Sequence, residues 1–595
     1  MLSRDFQLVV IWLLGGSIAL FAALIWLPVV FFEDDVLLAG HDSYYHARRI
    51  LDAVSNPAGL FQFDSRIHVP EGSWVPWPWG YDYLMAWLVR TTQFVTGPIE
   101  PLKILVFIPP IWVLVNAGLL LGITGVLDLR IRYRLLVLIC FAFSPLTQIL
   151  HGAGRIDHHY FEFTLVLLFC LSGLYWFKFP RSFIRATICG IVLGTGLAFH
   201  NGLFVLQLPL LLSLAVLWFK GISLPRQATI WFAISLVVTS GLMALPSIPF
   251  RQGMFSYYLL SWFHIYISIA VAVIALVFLK CRKSKQGVIV LGVVGILLSL
   301  PMLSQVLDGL AFVKVDIAEL KDMPEAISPI VGLVSAPFKF TSVLQKYTGL
   351  ILIFPLILVA CLVLVYRSEN PKEIFFYIFL LFGGSLLLMQ FRFHHFGSIA
   401  LYLPIIYWLQ KCIPTSWGRI VPVVVVGLIG AAYVPALAAL RSLPPPGGSY
   451  DYTITRSVYP PLVQACRNKP GVVLADHNDG HYIRFHTECS VIANNLILSN
   501  QSREKILQVN RMFEMNGAEL RRYAPWVKYI FVRRNDNVIS GAHTNEEVRQ
   551  QNFGLRRELL FYDTLPKGFR LIYELKLQDK QQNKITLARI IEVFP

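Results

Sequence analysis

The chain alternates long apolar runs with short polar segments over its first three quarters. A helix of roughly 20 apolar residues is long enough to span a bilayer. A weaker run at 80–97 is interrupted by Asp82 and Arg90, so we expect a helix lying against the membrane within an external loop. The other thirteen runs predict a polytopic α-helical membrane protein with about thirteen transmembrane helices. They lie near residues 7–32, 103–126, 134–152, 160–178, 184–200, 202–219, 228–248, 257–280, 286–304, 348–366, 374–390, 397–410 and 419–440.

The pattern changes near residue 450. GVVLAD, SVIANN and VKYIFV are typical of short buried strands, and REKILQVNRMFEM is typical of a helix. The Pro/Gly-rich segment RSLPPPGGS separates these elements from the last apolar run. We therefore expect a transmembrane domain at 1–440 with large external loops at 33–102 and 305–347, a linker at 441–449, and a mixed α/β globular domain at 450–595.

The charge distribution predicts the orientation. Charged residues make up 14% of the chain, against about 25% in soluble proteins. Clusters such as LDLRIRYR, KFPRSFIR and KCRKSK lie in alternate short loops, which the positive-inside rule assigns to the cytoplasm. This accounts for a net charge of +16 without a nucleic-acid partner. We expect an inner or plasma membrane protein with a cytoplasmic N-terminus and an extracytoplasmic C-terminal domain.

Two cysteines, Cys466 and Cys489, lie in the polar C-terminal part. They could form a disulfide if that domain is extracytoplasmic, where thiols are oxidised. The cysteine spacings include neither a CxxC motif nor a zinc-binding pattern.

Polar residues gather in segments that this topology places on the external side. The segments are HDSYYHARR, RIDHHYFE, VDIAELKD, FRFHHF and DHNDGHYI. Acidic and histidine side chains at a membrane edge are costly unless they are paired or ligated, so they are functional candidates. An Asp, an Asp-x-His and a Glu on one face would suit a divalent cation such as Mg²⁺ or Mn²⁺.

Each segment also has a plainer explanation. Asp42 could cap the helix that follows it. His158 and His159 could be hydrated histidines at the interface, Glu319 a solvated carboxylate, and Arg392 a headgroup anchor. DHNDG could be only a turn, since Asn, Asp and Gly are turn formers.

Several stretches carry a family resemblance when taken in order along the chain. They are Asp42-Ser-Tyr-Tyr-His-Ala-Arg48, HVPEGSWVPWPWG at 68–80, Arg155-Ile-Asp157-His158-His159, Asp316-Ile-Ala-Glu319, Arg392, and Gly480-His481-Tyr482-Ile483 followed by SVIANN. With the predicted spans and loops, these stretches resemble the catalytic subunit of oligosaccharyltransferases, especially the single-subunit bacterial and archaeal enzymes, which have a GT-C fold.

The resemblance implies a metal-dependent transfer of a glycan to an acceptor, typically an asparagine amide. The donor would be a polyprenyl-(pyro)phosphate-linked glycan, and transfer would occur on the extracytoplasmic face. Mg²⁺ or Mn²⁺ would neutralise the leaving group. The resemblance implies metal ligands Asp42, Asp157 and His159, donor-binding residues Arg155, His158 and Arg392, acceptor-binding residues Glu319, Asn478, Asp479 and His481, and catalytic roles for Asp42, Glu319 and Arg392.

One departure leaves the acceptor open. The family's WWDYG signature aligns with Asp476-His477-Asn478-Asp479-Gly480, so both tryptophans and the aspartate are replaced. A second hypothesis is therefore a glycosyltransferase that moves lipid-linked sugars to lipid, polysaccharide or hydroxyl acceptors. A transporter or flippase is less favoured, because the sequence lacks evident inverted repeats and mid-membrane ionisable residues.

Overall fold

The protein is described by a computed structural model. The described residues are 4–32, 35–56, 59–223, 225–314, 328–329, 337–412, 420–439, 450–534, 554–578 and 584–594. Glu319 and the predicted linker at 441–449 lie outside them. The chain divides into two compact units. The first unit comprises Met1–Leu27, Trp77–Met85 and Lys103–Leu443, and the second comprises Pro28–Pro76, Ala86–Leu102 and Pro444–Pro595.

The first unit is helical. Among the described residues, eight helical segments are long and apolar enough to cross a membrane, or up to nine if the bent pair Ile131–Phe143 and Pro145–His151 forms one span. The chain is therefore an integral membrane protein, and the count of thirteen spans stays a prediction. The eight segments are Asp5–Val30, Pro101–Val126, His159–Lys178, Asn201–Phe219, Arg226–Ala244, Trp262–Lys280, Lys285–Leu310 and Pro371–Met389.

Further helical elements accompany these eight segments. The helix Gly80–Thr96 covers the weaker apolar run that the sequence predicts as an external helix. The remaining elements of ten or more residues are Phe183–Phe199, Leu303–Lys314, Pro337–Tyr347, Phe354–Arg367, Leu403–Cys412 and Ile420–Ala439. One-turn elements lie at Ile248–Arg251, Gly349–Leu352, Phe391–Phe393, His394–Gly397 and Ser398–Leu401.

Helices Phe183–Phe199 and Arg226–Ala244 approach closely through glycines. A Cβ added at Gly190 would lie 2.7 Å from the carbonyl oxygen of Phe232, and one at Gly194 would lie 2.8 Å from the Ser240 nitrogen. Small residues at such positions let two helix backbones pack together where lipid gives no hydrophobic driving force between helices.

The second unit contains a five-stranded mixed sheet. Two short hairpins precede it, formed by β1 (Phe31–Phe32) with β2 (Asp35–Val36) and β3 (Phe63–Asp64) with β4 (Ser73–Trp74). The sheet strands are β5 (Val472–Leu474), β6 (Ser490–Val491), β7 (Val527–Arg533), β8 (Phe569–Gln578) and β9 (Lys584–Val593), in the order β6-β5-β7-β9-β8. Strand β5 is parallel to β6 and β7, and β9 is antiparallel to β7 and β8.

The second unit also contains helices. The helix predicted from REKILQVNRMFEM is present as Asn500–Glu514. Ser499 caps it by accepting a hydrogen bond from the Ser502 backbone N–H. The other helices are His41–Ser55, Tyr450–Ser457, Tyr459–Asn468, Gly480–His486, Gly517–Tyr523 and Gly554–Phe561.

Residues 67–69, in the loop at 33–102 (the first loop), contact the sheet domain directly. Ile67 pairs with Val491 in a parallel bridge, and His68 Nε2 lies 3.1 Å from Asn494 Oδ1. Lys505 Nζ donates to the Val69 carbonyl at 2.9 Å. The first-loop segment and the C-terminal sheet therefore belong to one folded unit.

A disulfide joins Cys466 to Cys489, with 5.4 Å between their Cα atoms. It connects the helix Tyr459–Asn468 to the residue before β6. The pairing that the sequence left open is therefore present.

Candidate functional site

The loop that carries the second acidic motif is held by backbone contacts on several sides. It runs from His151, at the end of the bent helix pair, to His159 at the start of the next span. Gly154 adopts φ +77° and donates its N–H to the Val106 carbonyl at 3.3 Å. The Tyr81 hydroxyl donates to the Ile156 carbonyl at 3.1 Å. The position of Asp157 is thus set by neighbouring helices.

Asp157 lies against both histidines that follow it. Its Oδ1 is 2.7 Å from His158 Nδ1, and its Oδ2 is 3.3 Å from His159 Nε2. His158 is buried against the Trp77 ring, with 6.0 Å between ring centroids, whereas Asp157 and His159 remain partly exposed. The partly exposed oxygen–nitrogen pair of Asp157 and His159 is accessible to a ligand.

A buried carboxylate, Glu162, lies one turn further along the same helix. Its side chain is 1% exposed. Its Oε2 accepts a hydrogen bond from His159 Nδ1 at 2.5 Å, and its Oε1 is 2.7 Å from His200 Nδ1. His395 Nε2 and His158 Nε2 lie 3.5 Å and 3.8 Å from Oε2. Four imidazoles therefore surround this carboxylate.

The histidine rings also stack in pairs. His158 and His200 are stacked with centroids 4.9 Å apart and an interplanar angle of 20°. His159 and His395 are stacked at 5.3 Å and 15°. The pairs join the start of the span His159–Lys178 to the end of Phe183–Phe199 and to the short helix His394–Gly397.

The donor set suits a divalent cation. Ligand atoms about 2.1–2.3 Å from one metal lie roughly 3 Å apart, which matches the 3.3 Å between Asp157 Oδ2 and His159 Nε2. A second group, formed by His158, His159 and Glu162, has one donor atom from each residue within 4.8 Å of the others. Mixed carboxylate and imidazole ligands fit Mn²⁺ or another transition metal, and Mg²⁺ less well.

The two arginines predicted to bind the donor also belong to the first unit. Arg155 is half-buried, and its backbone N–H donates to the Gly152 carbonyl at 3.2 Å. Arg392 is half-buried in the one-turn element Phe391–Phe393, two residues before His394. Arg392 and one member of the histidine cluster, His395, therefore lie in the same short stretch of chain.

Asp42 belongs to the second unit. The helix His41–Ser55 has Gly40, with φ +88°, as its N-cap residue, so Asp42 lies in the first turn and not at the N-cap. The explanation that Asp42 caps this helix is therefore wrong. Asp42 Oδ1 lies 3.8 Å from Nε2 of the buried His481.

Aromatic contacts hold the Asp42 helix against the helix Gly480–His486. The ring centroids of Tyr44 and Tyr482 are 4.5 Å apart, and those of Tyr45 and His481 are 5.0 Å apart. The pKa of His41 is lowered to about 4, chiefly by burial, so His41 is neutral at pH 7. The first and the last predicted motifs of this unit are therefore packed side by side.

Both carboxylates of the DHNDG turn are engaged within the domain. Asp476 accepts from Asn478 N and Arg556 Nη2, each at 3.1 Å. Burial would raise the pKa of Asp476, but His477 and Arg556 lower it to about 2. Asp479 is buried and lies 2.9 Å from Arg533 Nε. Asn478 is half-buried.

The predicted site residues thus form two groups. Asp157, His158 and His159 lie together in the first unit, and Asp42 and His481 lie together in the second. Their joint roles stay predictions. The sequence reasoning missed Glu162, His200 and His395. Glu162 had a signal, because it is an acidic residue inside a predicted span, three and four residues after two histidines.

No family model and no curated protein matches the chain. Solved structures of the oligosaccharyltransferase AglB from Archaeoglobus fulgidus do match it. In one of them AglB is bound to an inhibitory peptide and a dolichol-phosphate. It has a TM-score of 0.77 at 15% identity, covering 96% of this chain and 80% of AglB. The chain has the oligosaccharyltransferase fold.

Two further AglB structures agree with this fold. One, tethered by a disulfide to an acceptor peptide with an NVT sequon, has a TM-score of 0.70 at 17% identity and covers 98% of this chain and 74% of AglB. Another, a complex with Zn and sulfate, has a TM-score of 0.68 at 16% identity and covers 97% and 73%. At these identities the likeness defines the fold, a GT-C type membrane architecture.

Proposed function

We propose that this chain is an oligosaccharyltransferase-like enzyme. It would transfer a glycan from a polyprenyl-(pyro)phosphate donor to an acceptor, with a protein asparagine as the favoured acceptor. The observation that carries this proposal is a fold shared over 96% of the chain with an enzyme solved with dolichol-phosphate. The Asp157–His159 pair, within the second motif, supplies donor atoms spaced for a cation.

Asp157, His159 and Asp42 would hold Mg²⁺ or Mn²⁺. A bound cation of this kind neutralises charge that develops on a leaving (pyro)phosphate. The assignment of Asp42 rests on the motif resemblance, and that of Asp157 and His159 rests also on their separation of 3.3 Å.

Other residues would orient the two substrates. Arg155, His158 and Arg392 would bind the donor phosphates, since guanidinium groups form paired hydrogen bonds with phosphate oxygens. Glu319 would bind the acceptor amide, a role taken from the resemblance alone. Holding donor and acceptor in a fixed geometry is itself a large part of the rate enhancement in group transfer.

The acceptor would contact Asn478, Asp479 and His481. Since Asp479 is already paired with Arg533, and Asp476 with Arg556, this turn differs chemically from a pocket built to read a hydroxyl. We therefore expect a weak preference for Thr over Ala two residues after the acceptor asparagine. The same observation favours, as a second candidate, transfer of lipid-linked sugar to a different acceptor class.

The reaction would occur on the extracytoplasmic face. The Cys466–Cys489 disulfide supports this orientation for the C-terminal domain, because disulfides persist in oxidising compartments.

The test uses purified full-length protein, a polyprenyl-pyrophosphate-linked glycan and fluorescent acceptor peptides. Glycopeptide formation should require Mn²⁺ or Mg²⁺ and stop in excess chelator. Asp157→Ala should lower kcat/KM by on the order of 100-fold or more, because a transition-state charge loses its stabilisation. Asp128→Asn, a change at an exposed carboxylate outside the motifs, serves as the control.

The peptide pair tests the acceptor. Asn-x-Thr and Asn-x-Ala peptides should be used at similar, low rates. A strong preference for the Thr peptide would show that other residues rebuild the hydroxyl-reading pocket. Absence of glycopeptide, together with sugar transfer to lipid, polysaccharide or another hydroxyl acceptor, would favour the second candidate.

A further inference from the structure

Glu162 is a buried carboxylate surrounded by imidazoles. It lies in the first turn of the span His159–Lys178 and is 1% exposed. A buried carboxylate at a membrane edge is costly unless charged or hydrogen-bonding partners compensate. Its shortest contacts are with His159 Nδ1 at 2.5 Å and His200 Nδ1 at 2.7 Å.

The two nitrogens of His159 face different groups. Nδ1 lies on Glu162, whereas Nε2 lies 3.3 Å from Asp157 Oδ2. A carboxylate that accepts from Nδ1–H holds the proton on that nitrogen, so the lone pair remains on Nε2. The lone pair of His159 is thereby directed toward Asp157.

We propose that Glu162 is a positioning residue that orients His159 for binding a divalent cation beside Asp157. This inference rests on the proposed function in one respect, namely that Asp157 and His159 contribute to one cation site. A carboxylate that bonds the far nitrogen of a ligating histidine fixes its tautomer and ring plane and raises its basicity.

The same carboxylate connects three elements around the site. Glu162 Oε1 contacts His200, which ends the helix Phe183–Phe199, and Oε2 lies 3.5 Å from Nε2 of His395 in the short helix His394–Gly397. The His395 ring also stacks on His159 at 5.3 Å. The His159 ring is thus restrained both by a hydrogen bond and by a stacked neighbour.

A direct ligand role for Glu162 is the competing explanation. Donor atoms of His158, His159 and Glu162 lie within 4.8 Å of one another. The two roles differ in their response to the substitution Glu162→Gln. The side-chain oxygen of the glutamine still accepts the His159 N–H, but a neutral amide is a much poorer ligand than a carboxylate.

The experiment measures Mn²⁺ affinity directly by electron paramagnetic resonance on the purified full-length protein. Glu162→Ala should weaken Mn²⁺ binding about 10–100-fold, as is typical when the partner of a ligating histidine is lost. Glu162→Gln should remain within about 10-fold of the wild type. Glu373→Gln, a carboxylate substitution at the far end of the helix Pro371–Met389, should bind as the wild type.

Three results would overturn the proposal. Glu162→Ala and Glu162→Gln could both bind Mn²⁺ as tightly as the wild type, they could both bind it equally weakly, or the wild type itself could have no affinity for Mn²⁺. Equal weakness would make Glu162 a ligand. If Glu162→Ala does not fold, Glu162→Asp replaces it with the same expectation, since the shorter side chain withdraws its carboxylate from His159. The two proposals can fail separately. If the wild type transfers no glycan but binds Mn²⁺, and if this binding weakens in Glu162→Ala, the proposed function is rejected and this inference stands.

Discussion

At the scale of single residues, the buried carboxylate of Asp64 joins the loop at 33–102 to the C-terminal domain through two arginines. It is 3% exposed and lies 2.6 Å from Arg48 and 4.0 Å from Arg484. We expect Asp64→Asn to destabilise the protein by about 3–5 kcal/mol, because removal of the carboxylate leaves the buried Arg484 and the half-buried Arg48 guanidinium groups uncompensated. The melting temperature of the purified protein measures this. Glu488→Gln breaks an exposed ion pair with Arg66 and should cost no more than about 1 kcal/mol.

The Asp64 carboxylate should also make the stability of the protein depend on pH. Burial would raise the pKa of Asp64, but Arg48 and then Arg484 keep it below its ordinary value. A carboxyl group with a depressed pKa contributes fully to stability above its unfolded pKa, about 4, and the contribution is lost as pH falls through the folded value. The difference in melting temperature between wild type and Asp64→Asn should therefore shrink as pH falls below about 4. A difference that stays constant with pH would contradict this origin.

Some site residues were readable from the sequence and others were not. Asp157, His158 and His159 are adjacent, so their proximity follows from the chain itself. His200 and His395 reach Glu162 through helix packing, from positions that are far apart along the chain. Such contacts depend on how spans pack, which an apolar pattern alone does not specify.

At the scale of elements, the Cys466–Cys489 disulfide fixes the segment that carries the DHNDG turn. It closes a loop of 23 residues containing β5 and the helix Gly480–His486. We expect Cys466→Ser with Cys489→Ser to lower the free energy of unfolding by about 3 kcal/mol, as the unfolded chain regains loop entropy. Melting curves with and without reductant measure this, and reductant should have no effect on the double variant. Cys281→Ser, at an unpaired cysteine, should melt like the wild type.

The strands differ in how well the sequence predicts them. Strands β5, β6 and β7 lie within short apolar runs, and the structure confirms them. Strand β9 is buried but contains Arg589 and Glu592, which pair with Glu574 and Lys528. Charges compensated across strands interrupt the apolar pattern, so β8 and β9 escaped prediction.

At the scale of the whole molecule, the composition was enough to predict a membrane protein, and the order of the motifs was enough to predict its fold. The sequence did not predict that the first-loop segments fold into one unit with the C-terminal domain. Contacts such as His68 with Asn494 join residues 426 positions apart, and they depend on side-chain complementarity rather than on local periodicity.

The orientation of the whole molecule is testable by labelling. The thirteen spans expected from the sequence, the basic clusters in alternate loops and the Cys466–Cys489 disulfide together predict that KCRKSK and the C-terminal domain face opposite sides of the membrane. In a background with Cys281→Ser and Cys412→Ser, Arg522→Cys places a thiol on an exposed helix of the C-terminal domain, and Lys283→Cys places one in the basic loop. A membrane-impermeant maleimide should label only the Arg522→Cys variant in intact cells or spheroplasts, and both variants after lysis. Labelling of the Lys283→Cys variant alone before lysis would invert the topology, and labelling of both would show that the chain crosses the membrane an even number of times between these positions.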